Sequence, residues 1–239
     1  MTAQLYAQDA YSKSAKGTVI AHTEEGGIVL DKTIFYPRGG GQPGDSGRVL
    51  WAGGRLDIAT AVKGEAGQII LVPAEAMAMP EVGDVVDQQL DWDRRYGHMR
   101  MHTALHILSV VLPYPVTGGA IAADRGRLDF SMKELPEPKP VIEGRLNTII
   151  SRDLVVSEDW IDAEELDAKP DLVKTLSVQP PRDAGRIRLV RIGAGMDQID
   201  LQPCGGTHVA KTGEIGKIAI AKVENKGSRN RRVTLTFAV

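Results

Sequence analysis

The chain has 239 residues, one cysteine, five histidines and a formal net charge of −2, with 42% hydrophobic and 25% charged residues. This composition excludes a disordered or collagen-like chain, and no apolar run approaches the roughly 18–20 residues a membrane-spanning helix needs. One cysteine cannot form an internal disulfide, and the opening MTAQLYAQDAYSKSAKG lacks the basic and apolar regions of a secretory signal, so a cytoplasmic protein is expected.

Thirteen of the 26 glycines fall in the first 90 residues. There the short apolar runs TVIAHT, GGIVLDKTIFY, GRVLWAGGRLDIATAV and QIILVPA are rich in β-branched residues and separated by turn signals. Strands of about 5–6 residues joined by tight turns predict a small β-barrel or sandwich, with an open meander as the alternative. After VGDVVDQQLDWD the pattern becomes helical. Residues 94–112 contain no proline and one glycine, carry Met101, Leu105, Leu108 and Leu112 at three- and four-residue spacing, and are stopped by Pro113 and Pro115. A domain boundary is therefore set near residue 90, giving 1–90 as a β-barrel domain and 91–239 as a second domain.

In the second part, GRLDFSM (126–132) reads as a strand and ELPEPKP as a turn or stiff connection. Residues 141–153 form an amphipathic helix with Ile142, Leu146 and Ile149 or Ile150 on one face. Residues 155–160 read as extended, and the acidic stretch 162–174 as helical. RIRLVRIG, DQIDLQP, KIAIAKVEN and RRVTLTFAV then supply a series of strands. The fold class is α+β, with a mostly antiparallel sheet in the second domain.

Three of the five histidines, His98, His102 and His106, lie four residues apart on the predicted helix, so neighbours share nearly one face. A lone helical histidine is more often a core or surface residue than a ligand. About 100 residues on, Cys204-Gly205-Gly206-Thr207-His208 follows Pro203 in a tight loop where a Cys and a His four apart face a common point. Two such pairs make a nitrogen and thiolate set suited to one tetrahedral zinc ion. Spacing alone leaves the helical pair open: His98 with His102, or His102 with His106. A closed four-ligand site suits structural zinc, whereas catalysis needs an exchangeable position.

RRYGHMRMHTALHILSVVL, with HTALH at 102–106, and PCGGTHVAKTGEIG at 203–216 resemble the editing domain of alanyl-tRNA synthetase and its freestanding relatives. Threonyl-tRNA synthetase editing domains share the HxxxH…CxxxH arrangement. The glycine-rich TIFYPRGGGQPGDSG (33–47) separates the two. It resembles the motif of the medium-length freestanding alanyl-tRNA-editing proteins, AlaX, and the likeness continues through GRLDFSM to VENKGSRNRRVTLTF. No aminoacylation or anticodon-reading module accompanies these motifs, so the resemblance is to a trans-acting editor.

The resemblance implies a zinc-dependent aminoacyl-tRNA deacylase that hydrolyses serine, and in some cases glycine, from tRNA(Ala). An alanine pocket discriminates poorly against these small amino acids, so a second hydrolytic sieve is needed. It implies His102, His106, Cys204 and His208 as the ligands of one zinc ion per chain, with Cys204 also in the catalytic set. His98 is left as a surface residue or one standing behind the ligands. It further implies Thr33 and Gln42 as the groups that sense a serine hydroxyl and hold substrate. Their plainer readings are a strand-end threonine and a turn glutamine. Gly39, Gly40 and Gly41 would let backbone approach the tRNA terminus closely. Zinc either generates the attacking hydroxide or orients the substrate amino group while another group positions the water.

A near-neutral total argues at first sight against an RNA partner, but the sum hides a split. Residues 211–232 carry seven Lys or Arg against Glu214 and Glu224, a local net of +5, and the eight carboxylates and one lysine of 153–171 supply the compensating −7. The basic edge holding Lys226, Arg229, Arg231 and Arg232 is assigned to RNA binding and the acidic stretch to the opposite side. Two alternatives remain beside Ser-tRNA(Ala) editing: editing of another mischarged tRNA such as Ser-tRNA(Thr), and a non-catalytic tRNA-binding module with structural zinc.

Overall fold

The computed structural model describes residues 1–169, 172–174 and 186–238. The chain divides into two compact units, Met1–Tyr96 and Gly97–Val239. The first contains strands β1 (Ala3–Gln4), β2 (Ser14–His22), β3 (Ile28–Leu30), β4 (Lys32–Thr33), β5 (Gly47–Trp51), β6 (Gly54–Lys63), β7 (Ile69–Pro73) and β8 (Val85–Leu90). Strands β2-β3-β7-β6-β5-β8 close into a barrel whose pairs are all antiparallel, and β1 and β4 form a separate parallel pair. Of the three architectures open to the sequence, the closed barrel is the one adopted. Alternation produces it: on β6, Leu56 and Ile58 are buried between exposed neighbours. They join Val19, Ile28, Leu30, Val49, Leu71 and Val86 in one core. Each such side chain stabilises the unit by about 1.5–3 kcal/mol on burial.

Within GGIVLDKTIFY the strand signal is only partly realised. β-structure stops at Thr33, and Ile34, Phe35 and Tyr36 are buried outside any strand. Their backbone is fixed by side chains instead. Gln88 Oε1 accepts from the Thr33 hydroxyl at 2.6 Å and from Ile34 N at 3.2 Å, and Asp45 Oδ2 accepts from Tyr36 N at 2.6 Å. The glycine-rich segment that follows makes a tight turn. Gly39 and Gln42 exchange both backbone hydrogen bonds, and Gly40 and Gly41 both have positive φ (56° and 83°), as a two-residue hairpin turn of the primed type demands. Gly44 answers a different need, since a Cβ there would stand 2.0 Å from Ala61 O.

Helix α1 (Trp92–Val111) begins two residues before the predicted start, and the division between the units falls within it. Its Arg95 is wholly buried beside Asp45. Arg95 Nε donates to both Asp45 oxygens at 3.0 Å, and Nη2 donates to Asp45 Oδ2 as well. Further bonds run to the backbone: Nη1 donates to Ala10 O at 3.0 Å and Nη2 to Ile34 O at 2.6 Å.

The second unit contains β9 (Val116–Ile121), β10 (Arg125–Phe130), α2 (Lys139–Ser151), β11 (Val156–Asp162), α3 (Ala163–Asp167), β12 (Arg186–Ile192), β13 (Asp200–Pro203), β14 (Ile218–Asn225) and β15 (Arg231–Phe237). They make two antiparallel sheets, β14-β15-β10-β9 and β11-β12-β13. β9 was not foreseen: VTGGAI carries two glycines, which weaken a strand signal. The predicted helix over 162–174 is cut to α3, and residues 170 and 171 lie outside the described set, as does Val239 of the final predicted strand. DQIDLQP is extended only from Asp200, because Gly195–Asp197 forms a 3₁₀ turn. The single apolar stripe expected on α1 is an underestimate: Met99, Ile107 and Val111 are buried along with Met101, Leu105, Leu108 and Leu112.

Replacing Arg95 by Met leaves the Asp45 carboxylate buried without its cation, which costs about 3–5 kcal/mol. Urea denaturation should show a midpoint lowered accordingly. A loss below about 1 kcal/mol would show that the pair does not hold the loop.

Candidate metal centre

Helix α1 and the loop after β13 build one cluster in the second unit. One turn of α1 separates His102 from His106, and residues 204–208 bring Cys204 and His208 to the same point. One ligand atom from each of the four lies within 4.8 Å of all the others. Cys204 Sγ is 3.5 Å from His102 Nε2 and 3.3 Å from His208 Nε2. Bond lengths of about 2.0–2.3 Å around a tetrahedral zinc ion separate neighbouring ligand atoms by about 3.3–3.8 Å, so these spacings fit. The loop is pinned from beneath, because Arg188 Nη1 donates to Cys204 O and Gly206 O at 2.8 Å each.

Electrostatics prepare the donors. Burial opposes ionisation of the Cys204 thiol, but the neighbouring imidazoles of His102 and His208 outweigh it and hold the thiol well below its ordinary value. Gly206 N–H also donates to the sulfur at 3.4 Å. Burial, reinforced by the charge of His102, holds His208 well below the usual imidazole range and so keeps a lone pair available. His106 behaves differently. Burial would lower its pKa, but hydrogen bonds to Asp200 and Cys204 push it up to about 9.

The groups behind the imidazoles escaped the sequence reading. His208 Nδ1 lies 3.1 Å from Thr103 Oγ1, which donates its own proton to Met99 O at 3.0 Å and therefore accepts from the ring. His106 Nδ1 lies 3.1 Å from Asp200 Oδ2. Asp200 and Gln202 precede Cys204 at two-residue spacing, which puts all three on one face of an extended segment. That alternation of polar residues was the available signal. Thr103 gave none.

The remaining predicted residues are placed as follows. His98, one turn before His102, is 1% exposed and stands outside the cluster, so it is not a surface residue: the helix is buried on that side too. Thr33 and Gln42 belong to the first unit. Both are buried, and the Thr33 hydroxyl donates to Gln88 while accepting from Phe35 N at 3.1 Å. Gly39, Gly40 and Gly41 form the turn already described. In the basic hairpin, Lys226 and Arg229 are exposed, with Lys226 Nζ 3.8 Å from Glu224. Arg231 is folded back onto Asn225 Oδ1 at 2.8 Å and Gly227 O at 3.0 Å. Arg232 faces Asp129 across β10 and β15 and donates to both its oxygens at 2.7 and 2.9 Å.

Comparison with known proteins fits this architecture. Residues 187–234 match the family described as "Threonyl and Alanyl tRNA synthetase second additional domain", and residues 3–94 match "tRNA synthetases class II (A)". The class is thus that of domains found with class II tRNA synthetases. Two relatives named alanyl-tRNA editing protein AlaX-M match nearly end to end. That of Methanosarcina acetivorans is 34% identical over 99% of both chains. That of Methanosarcina mazei is 36% identical over 98% of this chain and 95% of its own. An alanine–tRNA ligase of Pyrobaculum arsenaticum is 38% identical over 93% of this chain but only 25% of the ligase. The chain belongs to the AlaX-M family of alanyl-tRNA editing proteins.

Replacing His102 by alanine should lower divalent-cation affinity by more than about 100-fold, since direct ligands matter more than the partners behind them. His98→Gln should leave affinity within about two-fold, because His98 lies outside the cluster. Equilibrium competition against a chromophoric chelator measures both, and equal losses at the two positions would contradict the ligand assignment.

Proposed function

We propose that this chain is a trans-acting deacylase that hydrolyses the ester joining serine, and secondarily glycine, to tRNA(Ala), with one zinc ion held by His102, His106, Cys204 and His208. The observation that carries the reading is the His102–His106–Cys204–His208 cluster, in a chain matched end to end by proteins named for alanyl-tRNA editing. Three imidazoles and a thiolate are a donor set that suits zinc, whereas magnesium and calcium take oxygen ligands. Held by these residues, zinc would supply Lewis acidity and a positive charge for the hydrolysis.

The chain's own residues do the rest. Thr103 turns the imidazole of His208 toward the cluster, and Arg188 fixes the loop that carries Cys204. Thr33 and Gln42 hold the aminoacyl group in this reading, and Thr33 must share its hydroxyl between Gln88 and a serine substrate. Lys226 and Arg229, the exposed cations of the basic hairpin, contact tRNA phosphates, while Arg231 and Arg232 shape the hairpin. The same reading makes the protein cytoplasmic, where it meets its substrate.

Metal analysis coupled to deacylation assays is the decisive test. About one zinc per chain is expected, with serine released from Ser-tRNA(Ala) much faster than alanine from Ala-tRNA(Ala) or serine from Ser-tRNA(Thr). Full activity after replacing both Cys204 and His102 by alanine would end the zinc-dependent reading, and RNA binding without hydrolysis would favour the non-catalytic module.

A pH dependence follows from the donors. Cys204 is held toward the thiolate and His208 toward the neutral ring, whereas His106 is pushed up to about 9, so below that pH a proton on His106 must be displaced. Zinc affinity should therefore rise with pH toward about 9, and binding near neutral pH should release a proton. Calorimetry in buffers of different ionisation enthalpy reads this directly, and a heat independent of the buffer would refute it.

A further inference from the structure

Strand β13 carries a buried carboxylate that the proposed reaction does not itself use. The Asp200 side chain has no exposed surface. Its Oδ1 accepts from Lys174 Nζ at 2.5 Å. Its Oδ2 accepts from Gln202 Nε2 at 2.7 Å and lies 3.1 Å from His106 Nδ1. A charge buried this deeply is retained at a cost unless its partners are in place, and here both oxygens are occupied.

Counting protons assigns the His106 tautomer. Gln202 Nε2 also lies 3.1 Å from His106 Nδ1, which taken alone would make the ring the acceptor. That amide nitrogen has two protons. One goes to Asp200 Oδ2, and the other points to Ser109 Oγ at 3.4 Å, whose own proton goes to His106 O at 2.8 Å. The carboxylate decides the role of the ring: its oxygen only accepts, so a ring nitrogen 3.1 Å away must carry the proton. His106 Nδ1 is therefore the donor to Asp200, which leaves Nε2, once deprotonated, as the nitrogen that presents a lone pair to the cluster. His208 is oriented by the Thr103 hydroxyl, a neutral acceptor. A carboxylate makes a stronger, charge-assisted bond and renders the opposite nitrogen more basic.

We propose that Asp200, clamped by Lys174 and Gln202, is the positioning residue that fixes His106 as the Nδ1–H tautomer and makes it the anchoring ligand of the metal centre. The proposal rests on the metal reading given above and goes beyond it by assigning a role to three residues outside the ligand set. Asn is the informative replacement. It keeps the shape but offers one acceptor to three donors, so its amide N–H must face His106, Gln202 or Lys174. Facing His106, it would stabilise the tautomer that cannot present Nε2.

The test compares wild type with Asp200→Asn in zinc competition against a chromophoric chelator, with thermal unfolding of the metal-free proteins run in parallel. The expected result is a folded variant whose zinc affinity is lower by about 10–100-fold. Wild type binding zinc with the variant unchanged would overturn this proposal alone. No stoichiometric zinc in wild type would overturn the metal reading and this proposal together. A second measurement decides the matter even where the variant fails to fold. In zinc-loaded wild type, the nitrogen-15 histidine spectrum should show His106 with a protected proton on Nδ1 and metal on Nε2. Metal on Nδ1, or an Nδ1 without a proton, would overturn the assignment.

Discussion

A buried imidazole can aim one nitrogen at a shared point only when its other nitrogen has a partner, and the second unit is arranged around that constraint. Thr103 sits on the same helix as His102 and His106 yet serves His208, which arrives from a loop 100 residues later. Asp200 lies one strand length before Cys204 yet serves His106 on the helix. Each half of the cluster is thus oriented by a residue from the other half. Loss of either segment therefore disorganises ligands that the segment does not itself carry.

The first unit solves a related problem with a larger charge. The segment from Ile34 to Tyr36 leaves the sheet while buried, so its backbone amides and carbonyls need partners no strand provides. Gln88, Asp45 and Arg95 supply them, and the Arg95–Asp45 pair in turn satisfies nearly every donor and acceptor it brings inside. This explains why the glycine-rich motif is followed so closely by an aspartate. The turn at Gly40 and Gly41 sets the chain direction, Gly44 lets it pass Ala61, and Asp45 locks it to the start of α1.

The sequence reading reached the element types because the signals were strong where packing is regular. Two-residue alternation in GRLDIATAV and the long proline-free run before Pro113 leave few choices. The four cluster residues were legible for a different reason, since rare residue types at repeated spacing stand out against ordinary composition. It failed where a tertiary partner decides. VTGGAI becomes a strand because β10 pairs with it, and KTIFY leaves the sheet because Gln88 and Asp45 claim its amides. Asp200, Thr103 and Arg95 are common residue types whose roles depend on a neighbour far away in sequence. The basic hairpin shows the same limit, because the charge count could not tell that Asp129 engages Arg232.

The two halves of the cluster are also far apart along the chain, His106 on one side and Cys204 on the other. Before folding, each half is a short pair of donors with little hold on a cation, and the full set exists only once the intervening segment has been gathered in. A cation bound to all four ligands then acts as a clip across a long loop, and clips of this kind gain from the chain entropy they remove. In the proposed reading, folding of this unit and metal supply become coupled, and scarcity of the ion leaves a larger share of the chains open at the cluster.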